Sequence, residues 1–168
     1  MMRKIELQEI ETLISPTFGR LTMPEIIGRI TEFVESQPHR HYKIIIGTDS
    51  QNHSSKGTDF VTALVVHRVG GGGIYFWKGY TQKRPYSLKE RIYKEALDSL
   101  DFANSFILTL KSAPRLMEIG LEIHVDVGEN GRTRDMITEV VAMIQGNGYE
   151  VKTKPESFGA SKVADRHA

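Results

Sequence analysis

The run Lys43-Ile44-Ile45-Ile46-Gly47-Thr48-Asp49-Ser50-Gln51 decides the fold. Its β-branched apolar residues read as a buried strand, and Asp49 closes that strand. An acidic residue in this position is carried to the edge of a sheet, where it meets water or a cation. A second run, Ile123-His124-Val125-Asp126-Val127-Gly128, ends in the same way. Two strands that finish in carboxylates are the start of a divalent-metal site.

Downstream of Asp49, a polar turn from Asn52 to Thr58 leads into a strand from Phe60 to Val69, rich in Val and Thr. Gly70-Gly71-Gly72-Gly73 separates it from a third strand, Ile74 to Tyr80. No Gly-Lys-Ser/Thr follows the glycines and no helix begins there, so they read as a hairpin loop and not as a phosphate cradle. The three strands form an antiparallel meander. Ser87, with Glu90 at the capping-box position, opens a long helix from Leu88 to about Leu108. A connection containing Pro114 leads to a fourth strand, Glu122 to Val127. Thr133 is expected to cap the next helix, whose buried stripe is Met136, Ile137, Val140, Val141 and Ile144, and Gly146-Asn147-Gly148 stops it. Tyr149 to Lys154 form a short fifth strand, and Ser161 to Ala168 a short terminal helix or tail.

The order β-β-β-α-β-α-β-α predicts an α/β fold. Strands reached through helical crossovers lie parallel to the first, which gives a mixed five-stranded sheet with helices on its faces. Upstream, the first twenty residues carry no assignable pattern. Thr22, Pro24 and Glu25 then open a helix at about 23–36, with Ile26, Ile27, Ile30, Phe33 and Val34 at helical spacing, and Gln37-Pro38 ends it. The expected organisation is one domain over 1–168, with 1–40 as an N-terminal extension.

A chain of 168 residues with 39% hydrophobic content buries one substantial core. The net charge of +1 supplies no general basic field, so nucleic-acid binding has to rest on local patches or metal ions. The absence of cysteine excludes disulfides and thiolate chemistry. No apolar run approaches the ~18–20 residues of a membrane span. Met1-Met2-Arg3-Lys4-Ile5-Glu6 turns acidic at once and carries no signal-peptide core, so a cytoplasmic location is expected.

The order of elements and the placing of the carboxylates resemble the ribonuclease H-like superfamily. More narrowly, Ile46-Gly47-Thr48-Asp49-Ser50-Gln51, His124-Val125-Asp126-Val127-Gly128 and Ala160-Ser161-Lys162-Val163-Ala164-Asp165-Arg166 are similar to the YkuK-like bacterial proteins, a family assigned to that superfamily. The resemblance covers residues 20 to 168. It implies acidic residues on the first strand, the first long helix, the fourth strand and the last helix, converging on one or two Mg2+ or Mn2+ ions. It further implies phosphodiester hydrolysis of DNA or RNA by a two-metal mechanism. The ligands and catalytic residues it implies are Asp49, Glu95, Asp126 and Asp165.

Each residue has a plainer alternative. Asp49 also suits a solvated strand end. On the helix, Leu88, Ile92, Ala96, Ser99, Ala103 and Phe106 define the sheet-facing stripe, and Glu95 lies at its edge while Glu90 points away and serves the cap. Glu95 is otherwise a surface ion-pair partner of Arg91 or Lys94. Asp126 has the alternative of a loop cap, and Asp165 that of an exposed tail residue. His124 shares a face with Asp126, as a group behind the ligands, and His167 is placed to shuttle a proton or orient water. His39 and His41 read as surface residues. Lys83 and Arg84 before the helix, and Arg132 and Arg134 after Asp126, are candidate substrate contacts or ordinary solvated cations. Trp77, Lys78 and Tyr80 add stacking and charge on the third strand. The competing function is a non-catalytic nucleic-acid or protein binding module on the same fold.

Overall fold

In the computed structural model, which describes residues 11–54 and 56–157, the run opening at Lys43 is a long strand deep inside the sheet. In chain order, β1 (Thr12–Ser15) and β2 (Gly19–Thr22) make a hairpin and α1 (Met23–Ser36) follows. The meander is β3 (Tyr42–His53), β4 (Gly57–Arg68) and β5 (Gly73–Gln82). After α2 (Leu88–Leu110) and the single turn α3 (Pro114–Met117) come β6 (Gly120–His124), α4 (Ile137–Gly146) and β7 (Glu150–Lys152). A 3-10 turn, Arg134–Met136, leads into α4.

The sheet has seven strands in the order β2-β1-β5-β4-β3-β6-β7. Five of them, β5-β4-β3-β6-β7, are the expected mixed arrangement. β3 pairs antiparallel with β4 from Tyr42↔Arg68 to His53↔Gly57, and parallel with β6 from Lys43↔Gly120 to Gly47↔His124. β7 adds parallel to β6. The glycine run is a tight turn, with Gly70 and Gly72 at φ of 74° and 81° and the Arg68 amide donating to the Gly72 carbonyl at 2.9 Å. Residues 12–22, unassigned from sequence, add two strands, and Ile14 pairs with Trp77 at the outer side of β5.

Alternation divides the sheet into two unequal faces. Ile44, Ile46, Leu64, Val66, Phe76 and Ile123 meet the apolar stripes of α1, α2 and α4 in the main core. Ile45, Val61 and Ala63, with Val65 and Trp77, form a smaller cluster on the other face. Three expectations are corrected. β3 does not close at Asp49 but runs on to His53, because its pairing with β4 continues from Asp49↔Val61 to His53↔Gly57. β6 ends at His124, because Val125 and Val127 leave the strand ladder with β3, although Val125 still donates to the Lys152 carbonyl at 3.0 Å. Thr133 makes no side-chain cap, and its hydroxyl accepts the Gly128 amide at 3.4 Å.

The start of α2 is the best-secured helix end near the site. Ser87 Oγ accepts the Glu90 amide at 3.2 Å, and Glu90 accepts the Ser87 amide at 2.7 Å. Ser87→Ala is expected to cost about 1 kcal/mol of unfolding free energy. Urea denaturation followed by circular dichroism checks it.

Candidate active site

Three elements bring the candidate carboxylates together. β3 carries Thr48 and Ser50 on the helix side, in phase with Ile44 and Ile46, and Asp49 between them on the other side. From α2, Ser99 donates to Thr48 Oγ1 at 2.9 Å, and Thr48 bonds Thr62 across the meander at 2.8 Å. One helical turn earlier, Glu95 Oε1 accepts the Ser50 hydroxyl at 2.5 Å. This polar ladder draws α2 against β3 and buries Glu95 to 6% exposure.

Glu95 is therefore a carboxyl inside the fold, whereas Glu90 stays exposed in its cap. Burial pushes the Glu95 carboxyl up to about 8, and the nearby charges of Asp49 and Asp126 push the same way. The Ser50 hydrogen bond and the Arg91 charge oppose them. The three acids thus share one electrostatic neighbourhood. Asp49 accepts the Ser50 amide at 2.9 Å. Asp126 follows β6 and is flanked by Val125 and Val127, both in the helix-side core, so its carboxylate points to the face that Asp49 occupies. There it pairs with Lys154 at 2.9 Å.

The donors are all carboxylate oxygens, which suits Mg2+ or Mn2+. As arranged, no three His, Asp or Glu side chains among the described residues lie close enough to hold a metal ion. The reasons are visible. Glu95 is engaged by Ser50 and Asp126 by Lys154. Asp165 and His167 lie outside the described residues.

The remaining candidates are dispersed. His124 is buried and its Nε2 lies 3.0 Å from Glu122, which also pairs with Lys43 at 3.1 Å. Burial lowers the His124 pKa against the pull of Glu122. Arg84 stacks on Tyr86, 3.6 Å from the ring centroid, and pairs with Glu90 at 3.3 Å. Lys83, Arg132 and Arg134 are exposed. Arg132 lines a hollow with Leu88, Lys89 and Tyr93 at the start of α2, together with the acidic Asp135 and Glu139. Trp77 belongs to the smaller cluster, while Lys78 pairs with Glu11, and Tyr80 stacks on Phe60 at 5.3 Å and donates to Asp98. Alternation splits this trio between faces.

Sequence reasoning missed Ser50, Arg91 and Lys154 as parts of the site. Arg91 donates to the Ser50 carbonyl at 3.2 Å, and its Nε is buried without a partner. Spacing carries a signal for Arg91, one turn before Glu95. It carries none for Lys154.

The family model described as ribonuclease H-like matches residues 25–168. The chain belongs to that family. It is 34% identical over 158 residues to the protein named "Uncharacterized protein YkuK" from Bacillus subtilis (strain 168), covering 88% of this chain and 91% of that one. Among solved structures, this ribonuclease H-like chain is similar to the N-terminal ribonuclease H domain of a Mycobacterium tuberculosis protein, at 15% identity and a TM-score of 0.37 over 74% of this chain and 91% of that one. A Ciona intestinalis endonuclease V solved with a 24mer DNA gives 12% identity and a TM-score of 0.37 over 86% of this chain and 66% of that one. No helix among the described residues is long and apolar enough to cross a membrane.

Proposed function

We infer that the chain is a divalent-metal-dependent phosphodiester hydrolase acting on nucleic acid, with Asp49, Glu95, Asp126 and Asp165 as its ligand set. The observation that carries this reading is Glu95. A glutamate buried to 6% exposure beside two further acids is held at a cost in the metal-free protein. A fold keeps such a group for chemistry more readily than for stability. Bound Mg2+ or Mn2+ would supply an activated water and stabilise the leaving oxygen. The chain's own contributions are separable. Ser50 and Arg91 orient Glu95 and the end of β3, and Asp49 and Asp126 present charge on one face. Lys83 and Arg84 before α2, Arg132 beside its first turn, and Arg134 would be the contacts to a phosphate backbone.

A binding module without catalysis is the second reading, favoured by the Lys154–Asp126 pair and by the lack of a gathered three-ligand group among the described residues. Crystals soaked in Mn2+ and measured for anomalous scattering separate the two, together with cleavage assays on single-stranded, double-stranded and hybrid DNA and RNA. Metal at Asp49, with metal-dependent cleavage of any substrate, is the expected result. No metal and no cleavage would establish the binding module.

A further inference from the structure

Lys154 is placed on Asp126 by more than its own side chain. The Lys154 amide donates to the Val127 carbonyl at 2.8 Å, and the Val125 amide donates to the Lys152 carbonyl at 3.0 Å. These bonds extend the pairing of β6 with β7 past the formal strand ends, so the two segments reach the site in a fixed register. Opposite the lysine stem is Gly128. A Cβ there would lie 3.1 Å from Lys154 Cβ, so the close approach depends on that glycine. Behind Lys154, the amides of Glu156 and Ser157 both donate to the Thr153 carbonyl, at 2.8 and 3.1 Å, and fold the chain back on itself. The ammonium ends 2.9 Å from Asp126 Oδ1.

As an ion pair alone this contact contributes little. Its side chains are 54% and 38% exposed, and such pairs are worth a small fraction of the stability of a domain. The backbone scaffolding around it is therefore out of proportion to a stabilising role. Its location gives it another one. Asp126 is an acid whose charge adds to the crowding around Glu95. A fixed cation on Asp126 offsets that crowding in the metal-free protein.

We propose that Lys154 is the resident counter-ion of the candidate site, holding Asp126 in the metal-free protein and competing with a divalent cation for the same carboxylate. The proposal rests on the metal-dependent reading given above. Lys154 is a positioning residue in this scheme, acting through Asp126. Binding of the ion requires the ammonium to leave Asp126, so Lys154 lowers metal affinity and raises selectivity for an ion that can displace it.

The test is calorimetric titration of Mn2+ into the wild-type protein and into Lys154→Met, Lys154→Arg and Lys152→Met. Lys154→Met is expected to bind Mn2+ roughly two- to fivefold more tightly, the range of a partly exposed pair. Lys154→Arg, which keeps the charge, stays near wild type. Lys152 pairs with Glu150, and Lys152→Met removes the same charge two residues away. At about 0.15 M salt, screening keeps its effect marginal. A second readout is the Lys154 ammonium resonance in the wild-type protein, expected to move toward its solvent-exposed position as Mg2+ is added. Wild-type binding that Lys154→Met leaves unchanged or weakens would overturn the role of Lys154. So would an equal gain in Lys152→Met. Absence of binding to the wild type and to every variant would instead remove the metal reading itself, and the role of Lys154 with it.

Discussion

Asp49→Asn is expected to abolish metal-dependent cleavage while leaving the fold intact. The substitution keeps the shape of the side chain, and its amide oxygen still accepts the Ser50 amide that Asp49 holds at 2.9 Å. What it removes is the negative charge that Asp49 places on β3. Loss of a group behind a metal ligand already costs about 10- to 100-fold in affinity or activity, so loss of a direct ligand should exceed ~100-fold. Stability should move the other way. Asp49 pushes the Glu95 carboxyl upward, so its neutralisation relieves a repulsion and the unfolding midpoint should hold or rise. Cleavage assays with Mg2+ and Mn2+, run beside thermal unfolding in chelator, read both effects. Retained cleavage in a folded variant would remove Asp49 from the catalytic set. Lost cleavage with a collapsed midpoint would make its role structural.

Glu95→Gln should change how stability depends on pH. The ordinary carboxyl value is 4.5, and in the folded protein Glu95 titrates at about 8. Between these values the native state holds a proton that the unfolded chain has released. Raising the pH therefore costs stability across that window, by up to about 1.4 kcal/mol per pH unit. Below the window the penalty is absent, and above it the penalty is complete. Asp59 and Glu122 have lowered values, so their contributions change only on the acid side and do not mask the effect. Glutamine is neutral throughout and its carbonyl still accepts the Ser50 hydroxyl. The variant should lie close to the wild type near pH 5 and exceed it by several kcal/mol at pH 9; His124, whose value burial lowers, adds the same rise below neutrality to both proteins and cancels in their difference. Urea denaturation at intervals from pH 5 to 9 measures this. A difference between variant and wild type that stays constant from pH 5 to 9 would mean that Glu95 ionises as an exposed carboxyl does. Metal binding adds a corollary, because an ion that claims Glu95 near neutral pH must release its proton.

Much of this architecture was readable from residue patterns. The inner strands announced themselves through long β-branched runs and the glycine turn. The orientation of Glu95 followed from its angle to Ile92 and Ser99, and the exposure of Glu90 from its place in the cap. The hairpin of β1 and β2 was not readable, because each strand has only four residues, too few for alternation to register. Its signals are local and modest: Ser15 Oγ accepting the Thr17 and Phe18 amides, and Gly19 at φ of 73°. The site was legible as a set of acids but not as an arrangement. Pattern can place Asp49, Glu95 and Asp126 near one another. It cannot tell that Ser50 binds Glu95, or that a lysine before a proline reaches Asp126.

The hairpin matters for a reason unrelated to chemistry. Without it, β5 would be the outermost strand of the sheet, ten residues long and carrying Tyr75, Trp77 and Tyr80. A long, flat, aromatic edge invites pairing with another molecule. With it, β1 takes up the middle of that edge at Ile14↔Trp77, and the sheet there ends in β2, a four-residue strand containing Gly19 and Arg20. The family match begins at residue 25, after the hairpin. A fragment trimmed to that boundary would keep every candidate acid and uncover the middle of the β5 edge, around Trp77.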